Sequence, residues 1–172
     1  MIDRVTSHPP SESVTLRETE PSDLEIFYQQ QLDPEAIRMA AFVSEDPKDR
    51  VAFDAHWDRI LKSSQITMRT VVVGGLVAGH ISCYPDGEKL EVTYWLGREF
   101  WGRGLATQAL HAMLHIVVAR PIFARAASDN IGSIRVLQKC GFMIIGKNKD
   151  FANGRGEETE ECILRLDPVP QA

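Results

Sequence analysis

Apolar positions recur along this chain with two different periods, and the changes between them mark out its elements. Residues 14–18, Val-Thr-Leu-Arg-Glu, predict a short first strand. Behind Pro21-Ser22-Asp23, the positions Leu24, Phe27, Tyr28 and Leu32 recur at helical spacing, with the proline where helix starts favour it. Asp33-Pro34 breaks that helix, and a second short one is expected over 35–42. A third is expected from Asp46-Pro47 to about Lys62, burying Val51, Phe53, Trp57, Ile60 and Leu61.

The pattern then becomes extended. Residues 67–73 and 76–84 read as strands, and Gly74-Gly75 between them is a strong two-residue hairpin signal. Pro85-Asp86-Gly87 turns the chain into a β-branched and aromatic strand over 90–96. A helix over 104–119 is apolar on most faces, through Leu105, Ala109, Leu110, Met113, Leu114, Ile116 and Val117, and is expected to be largely buried. Arg120-Pro121 disfavours its continuation and releases a strand over 122–127. A helix over 130–140 ends at Gly141, which tolerates the left-handed conformation of a C-cap. Strands over 142–146 and 160–166 close the sheet as an antiparallel pair, with 150–156 as the loop between them. This order mixes hairpins with crossovers. It predicts an α/β (α+β) fold with a mixed central sheet of about seven strands flanked by helices. One domain is expected over 14–166, with 1–13 a disordered lead and 167–172 a tail.

Composition narrows the field. At 172 residues, 44% hydrophobic and 25% charged, the chain suits a single soluble domain with a proper core. A net charge of −5 argues against a nucleic-acid-binding surface, and no Lys/Arg run suggests one. Cys83, Cys140 and Cys162 are odd in number and widely spaced, so neither disulfides nor a metal site is expected and a reducing cytoplasm is the default. The lead has no apolar core of a signal peptide and no run approaches a membrane span, so a soluble cytoplasmic protein without membrane contact is expected.

The chemistry gathers at Trp101-Gly102-Arg103-Gly104-Leu105-Ala106, between the 90–96 strand and the following helix. Strand, glycine turn and helix suit an anion. First-turn amides lack intrahelical partners, the helix dipole adds partial positive charge, and glycines let a phosphate approach the backbone. A P-loop is excluded, because no Lys-Ser or Lys-Thr follows. The dinucleotide fingerprint fails because Thr107 takes its last position.

The turn resembles the pyrophosphate loop of the GNAT superfamily of acyl-CoA-dependent N-acetyltransferases, [Q/R]-x-x-G-x-[G/A]. Trp101, Gly104 and Ala106 occupy its first, fourth and sixth positions. Trp101 departs from the general motif and is similar to the Trp-Gly-Arg/Lys-Gly form of the subgroup of ribosomal-protein N-terminal acetyltransferases. A second motif, Asn130-x-x-Ser133-x-x-Val136-x-x-Lys139-x-Gly141-Phe142, resembles the family pattern N-x-x-[SA]-x-x-[LV]-x-x-K-x-G-F. The element order also resembles the GNAT fold over nearly the whole chain.

The resemblance implies acetyl-CoA as cosubstrate, held between two splayed parallel strands; its thioester is already activated, so no metal is expected. Tyr94, Trp95 and Leu96 would pair with the pantetheine amides. Gly102, Arg103, Gly104, Leu105, Ala106 and Thr107 would meet the pyrophosphate, Arg103 adding charge. Asn130 and Ser133 would line the pantetheine side, although a plain helix N-cap is an equal reading of Asn130. Trp101 is expected to pack under the loop. The attacking amine must be neutral, and Glu91 matches the strand glutamate proposed as base in related enzymes. The tyrosine that often protonates the leaving thiolate falls at Leu137, so its task would pass to Ser133, to water, or to nothing. A strand amide, that of Trp95 or Leu96, would meet the oxyanion.

Other candidates weigh less. His111 and His115 share a helix face at zinc-ligand spacing, but Ala112 stands where a metalloprotease motif has glutamate. His80 reads as a half-buried structural histidine before one facing the cleft, and the glutamates of 157–161 as a solvated strand edge before a guide for a cationic substrate. The expected activity is direct acetyl transfer to a primary amine, on a protein N-terminus or a small molecule. A non-catalytic acyl-CoA-sensing module is the alternative, favoured by Leu137 and disfavoured by Glu91. The acceptor and the oligomeric state, a homodimer included, are left open.

Overall fold

A computed structural model describes residues 12–169, so most of the expected lead and the end of the tail lie outside the described residues. The elements follow the expected order: β1 (Val14–Arg17), α1 (Asp23–Gln31), α2 (Pro34–Ala40), α3 (Arg50–Lys62), β2 (Thr67–Val73), β3 (Leu76–Asp86), β4 (Lys89–Leu96), α4 (Leu105–Ile116), β5 (Ile122–Ala127), α5 (Ile131–Lys139), β6 (Met143–Ala152) and β7 (Glu157–Leu166). A 3-10 turn, Arg98–Phe100, follows β4. The strands form one seven-stranded sheet in the order β1-β2-β3-β4-β5-β7-β6. Among the described residues, only β4 and β5 pair in parallel.

Local chemistry sets the ends of the helices. Asp33 caps α2 by accepting from the Glu35 and Ala36 amides. Helix α3 starts at Arg50 rather than at Asp46-Pro47, because the Asp49 carboxylate takes the Ala52 amide while Asp46 closes a turn onto Lys48. Its buried residues are Phe53 and Trp57, whereas Val51 is 80% exposed and Leu61 39%. Those two fall outside the stripe that Phe53, Trp57 and Ile60 share. Helix α4 ends at Ile116, short of the expected 119, where the Arg120 guanidinium folds back onto the Leu114 and Val117 carbonyls. Gly74 and Gly75 both have positive φ, as the two-residue hairpin requires.

The sheet has two dressed faces. Val92 and Leu96 of β4, with Ile122, Ala124 and Ala126 of β5, share the main core with Leu105, Leu110 and Met113 of α4 and with Ile134 and Leu137 of α5. The opposite face carries a second cluster, in which Phe27 and Trp57 join Phe53 and Met68.

Asp23 ties α1 to this sheet. It is 2% exposed, forks onto Arg17 at 2.7 and 2.8 Å, and accepts from the Thr70 hydroxyl at 2.7 Å. Burial acts to raise its pKa, but the bonds from Arg17, Glu20 and Thr70 outweigh it and hold the carboxyl below the usual range. Asp23→Ala leaves Arg17 and Thr70 without their shared partner, and is expected to cost about 3 kcal/mol in denaturant unfolding. Because the folded pKa is depressed, the contribution is complete above the unfolded value of about 3.9 and fades as pH falls toward the folded one. Acid unfolding of wild type and variant should therefore converge in that window.

Candidate active site

The two parallel strands part almost as soon as they meet. Pairing is confined to Leu90 with Ile122 and Glu91 with Phe123, and beyond it β4 and β5 diverge. The gap opens into a cavity of about 850 Å³, walled by β4 and β5, the starts of α4 and α5, and α2 above.

The hydrogen-bond pattern settles which backbone groups face that gap. Gly97 donates to Ala78 O at 2.9 Å, so Gly97 and Ala78 form a bonded pair of the β3–β4 ladder. Bonded pairs alternate in an antiparallel ladder, so Trp95 and Thr93 exchange bonds with β3, and Tyr94 and Leu96 turn their amide and carbonyl groups toward the gap. Gly79 fits this arrangement, since a Cβ there would come within 1.9 Å of the Trp95 carbonyl oxygen. Of the two amides expected for the oxyanion, that of Leu96 faces the cleft, and the backbone of Trp95 belongs to β3. Trp95 still lines the cavity.

At the mouth lies the glycine turn. Gly102 and Gly104 have φ of 70° and 73°, and Gly104 heads α4 with no side chain to cap it. Gly102, Gly104, Leu105, Ala106 and Thr107 all line the cavity, bringing the first-turn amides of α4 to its wall. Trp101 does more than pack: it is 38% exposed, and its indole N–H donates to Leu96 O at 2.9 Å, latching the turn to β4. Arg103 is turned elsewhere. Its guanidinium pairs with Glu12 and donates to Glu99 O, so its charge is engaged away from the cavity wall. Arg135 and Lys139, one turn apart on α5, line the cavity instead, exposed and with no ion-pair partner among the described residues. Pattern reading passed over Arg135, since it falls on an unspecified position of the motif.

Asn130 does both jobs of a cap. Its Oδ1 accepts the Ser133 amide at 3.1 Å, and its Nδ2 holds the Met39 carbonyl of α2 at 3.2 Å. The Ser133 hydroxyl lies 2.8 Å from the Tyr94 phenol oxygen. Burial pushes that phenol up to about 12, although the Ser133 bond acts to lower it. Leu137 is 1% exposed and belongs to the core.

Glu91, on the face of β4 turned toward the α1–α3 side, is 5% exposed and lines the cavity. The Tyr84 hydroxyl and the Arg125 guanidinium both reach its Oε2, at 3.1 and 3.2 Å, which leaves Oε1 for a further partner. Tyr84 is pushed up to about 12, by burial first and then by Glu91. Arg125 also lies 3.5 Å from Asp86 and 3.9 Å from Glu161. Glu161 corrects the expectation of a solvated edge: it is 5% exposed, on a strand enclosed between β5 and β6. Its approach to Glu91 through Arg125 joins three distant stretches, which no local pattern could indicate.

The remaining candidates sit apart. His80 is wedged between Phe27 and Trp57, at 4.7 and 4.8 Å between ring centres, and burial, with His56 adding to it, pushes its pKa down to about 3. Burial raises the Cys140 thiol, which suits neither a thiolate nor a covalent relay. His115 Nδ1 is engaged by the His111 carbonyl at 2.8 Å, and among the described residues no three potential ligands converge. A thioester needs no Lewis acid to accept an amine. Turnover is accordingly expected to be unchanged by EDTA, and restoration of a lost activity by zinc would contradict this.

A splayed parallel pair, a helix N-terminus and a buried carboxylate lining one cavity suit an acyl donor with a phosphate-bearing tail. The family model for the acetyltransferase (GNAT) domain matches residues 13–143, and the chain belongs to that family. It is an N-acetyltransferase. No curated protein sequence matches it. Similar solved structures include RimJ of Mycobacterium smegmatis in complex with CoA-disulfide, at 19% identity over 95% of this chain and 87% of that one, with a TM-score of 0.76. Spermidine N-acetyltransferase from Vibrio cholerae, in complex with CoA and spermine, is 17% identical over 90% of this chain and 95% of that one, TM-score 0.76. The microcin C7 self-immunity acetyltransferase MccE, in complex with acetyl-CoA and AMP, is 20% identical over 93% of this chain and 98% of that one, TM-score 0.73. At these identities the likeness is one of fold. The residues present fit the donor, since cleft-facing amides, uncapped first-turn amides and two free cations line a single cavity. Among the described residues, no helix is long and apolar enough to cross a membrane.

Proposed function

We propose that this single domain, residues 14–166, moves the acetyl group of acetyl-CoA directly to a primary amine, carried by a small molecule or a protein N-terminus. The observation that supports it most is Glu91, a buried carboxylate with one free oxygen beside the point where β4 and β5 separate. An amine with a pKa of roughly 8 to 10 arrives mostly protonated, and Glu91 Oε1 takes its proton. Tyr84 and Arg125 fix the carboxylate by its other oxygen. The Leu96 amide receives the negative charge that develops on the carbonyl oxygen. Thioester chemistry is supplied by the bound donor, and the chain holds it through the Tyr94 and Leu96 backbone, Asn130 and Ser133, and the amides of residues 102–107. Arg135 and Lys139 stand ready for its phosphates.

The acceptor side favours a cation. Glu91, Glu161 and Asp86 surround a single Arg125, and the surplus of carboxylate favours an ammonium over an acceptor bearing its own acid group. The polyamine in the Vibrio cholerae complex and the N-termini acetylated by ribosomal-protein enzymes both meet that description. Release of free CoA from acetyl-CoA should be measured against diamines, peptides with free N-termini and amino acids. Amine-dependent release, strongest with acceptors lacking a carboxylate, is expected. Release independent of every amine would overturn the reading.

A further inference from the structure

Among the described residues, Ala41 is the one non-glycine residue at positive φ. Its φ of 62° and ψ of −59°, with the Phe42 amide donating to Ala40 O at 2.7 Å, make a γ-turn of the strained hand just past α2. Such a turn persists only where its surroundings over-determine it, and here they do. The Gly154 amide donates to Ala41 O at 2.8 Å, and Asn153 Nδ2 donates to Val43 O at 2.9 Å. Two bonds from the turn between β6 and β7 thus bracket Phe42. A side chain is excluded at Gly154, where a Cβ would lie 2.5 Å from Ile37 O and 2.8 Å from Ala41 O. The strained turn brings Phe42 and Val43 to the cavity wall.

Phe42 packs against the small cluster of Ala41, Ala127 and Ala152. Ala127 pairs with Glu161 across the β5–β7 ladder, and Phe123, which pairs with Glu91, alternates onto the same face of β5. Phe42 therefore lies over the sheet face that carries Glu91, Arg125 and Glu161. The two walls differ in kind. The cavity-lining residues of α2 and its exit, Ala36, Met39, Ala40, Phe42 and Val43, are all apolar, whereas the sheet opposite presents carboxylates and a guanidinium. A molecule filling this slot needs a charged nitrogen on one side and hydrocarbon on the other.

We propose that Phe42 is a specificity-determining residue and that the acceptor is an amine carried on an apolar stem, its nitrogen at Glu91 and its hydrocarbon against Phe42. Asn153 is a positioning residue, since it is absent from the cavity wall and acts by holding Val43 O. The inference rests on the proposed acetyl transfer and narrows its acceptor.

The test is kcat/KM for CoA release with ethylamine, butylamine and hexylamine, a series in which the reacting nitrogen is constant and only the stem grows. The wild type should gain about threefold per added methylene until the apolar wall is covered. Phe42→Ala should lower hexylamine by roughly tenfold, leave ethylamine within about twofold, and bind acetyl-CoA in calorimetry as the wild type does. Phe42→Leu, which keeps an apolar side chain against Ala127 and Ala152, should fall between, and Asn153→Ala should flatten the series part of the way. A series untouched by Asn153→Ala removes that residue's role. A flat wild-type series, a slope that survives Phe42→Ala, or a loss equal for all three amines overturns the inference and leaves acetyl transfer standing. Release that responds to no amine overturns the transfer reading and this inference with it.

Discussion

Glu91→Gln is expected to lower kcat by roughly 10² to 10⁴ while leaving acetyl-CoA affinity nearly unchanged, the usual scale for loss of a general base. Glutamine keeps the shape and can still accept from Tyr84, so the packing around the residue survives. What disappears is the basic oxygen left free by Tyr84 and Arg125, along with the ion pair at 3.2 Å. Raising the pH should restore part of the rate, because a larger share of the amine is then neutral unaided. A small loss that does not respond to pH would mean that proton removal belongs to water or another side chain. Measuring kcat and KM for both substrates across pH separates these outcomes.

The second large effect is expected at Gly104, where valine should abolish acetyl-CoA binding in calorimetry. A Cβ at this position meets no protein atom within 4 Å, so the space it fills is the opening beside the first-turn amides. A branched side chain there would mask the amides proposed to receive the pyrophosphate. The positive φ of 73° adds backbone strain of about 1–2 kcal/mol, which by itself could lower stability. Gly75 supplies the control, with φ of 79°, no atom within 4 Å of its Cβ and a place in the β2–β3 hairpin. Gly75→Val should show the same strain and normal binding. Wild-type affinity in a folded Gly104 variant would remove the turn from the donor site.

The contrast between these glycines shows where pattern reading works. The hairpin at Gly74-Gly75, the turn at Gly102 and Gly104 and the strand bearing Glu91 are local features, governed by backbone freedom and periodicity, and they were legible. Strand β6 was underestimated because its stretch 147–150, Lys-Asn-Lys-Asp, is exposed and polar, so nothing apolar announces that it continues to Ala152. The start of α3 was misplaced because Asp46 and Asp49 are both plausible caps, and only the bond to the Ala52 amide distinguishes them. Arg103 looked like a phosphate ligand because charge shows in a sequence and its partner does not. Glu12, which claims that charge, lies 91 residues away. Arg125 stayed hidden for the same reason, and Glu161 showed only as one of a run of glutamates. Their meaning arises only when β4, β5 and β7 lie side by side.

The alternation of β4 has an evolutionary consequence. Tyr94 and Leu96 turn their backbone groups to the gap proposed for the donor, whereas Glu91, Thr93 and Trp95 look toward the α1–α3 side. One eight-residue strand thus writes two specificities in interleaved positions. Substitution at Thr93 or Trp95, or in the helices above them, can explore new acceptors while the acetyl-CoA half is conserved untouched. The same interleaving makes the strand intolerant of a change in length, because insertion of a single residue would exchange the two alphabets. Selection can therefore rewrite what this enzyme modifies far more readily than what it modifies it with.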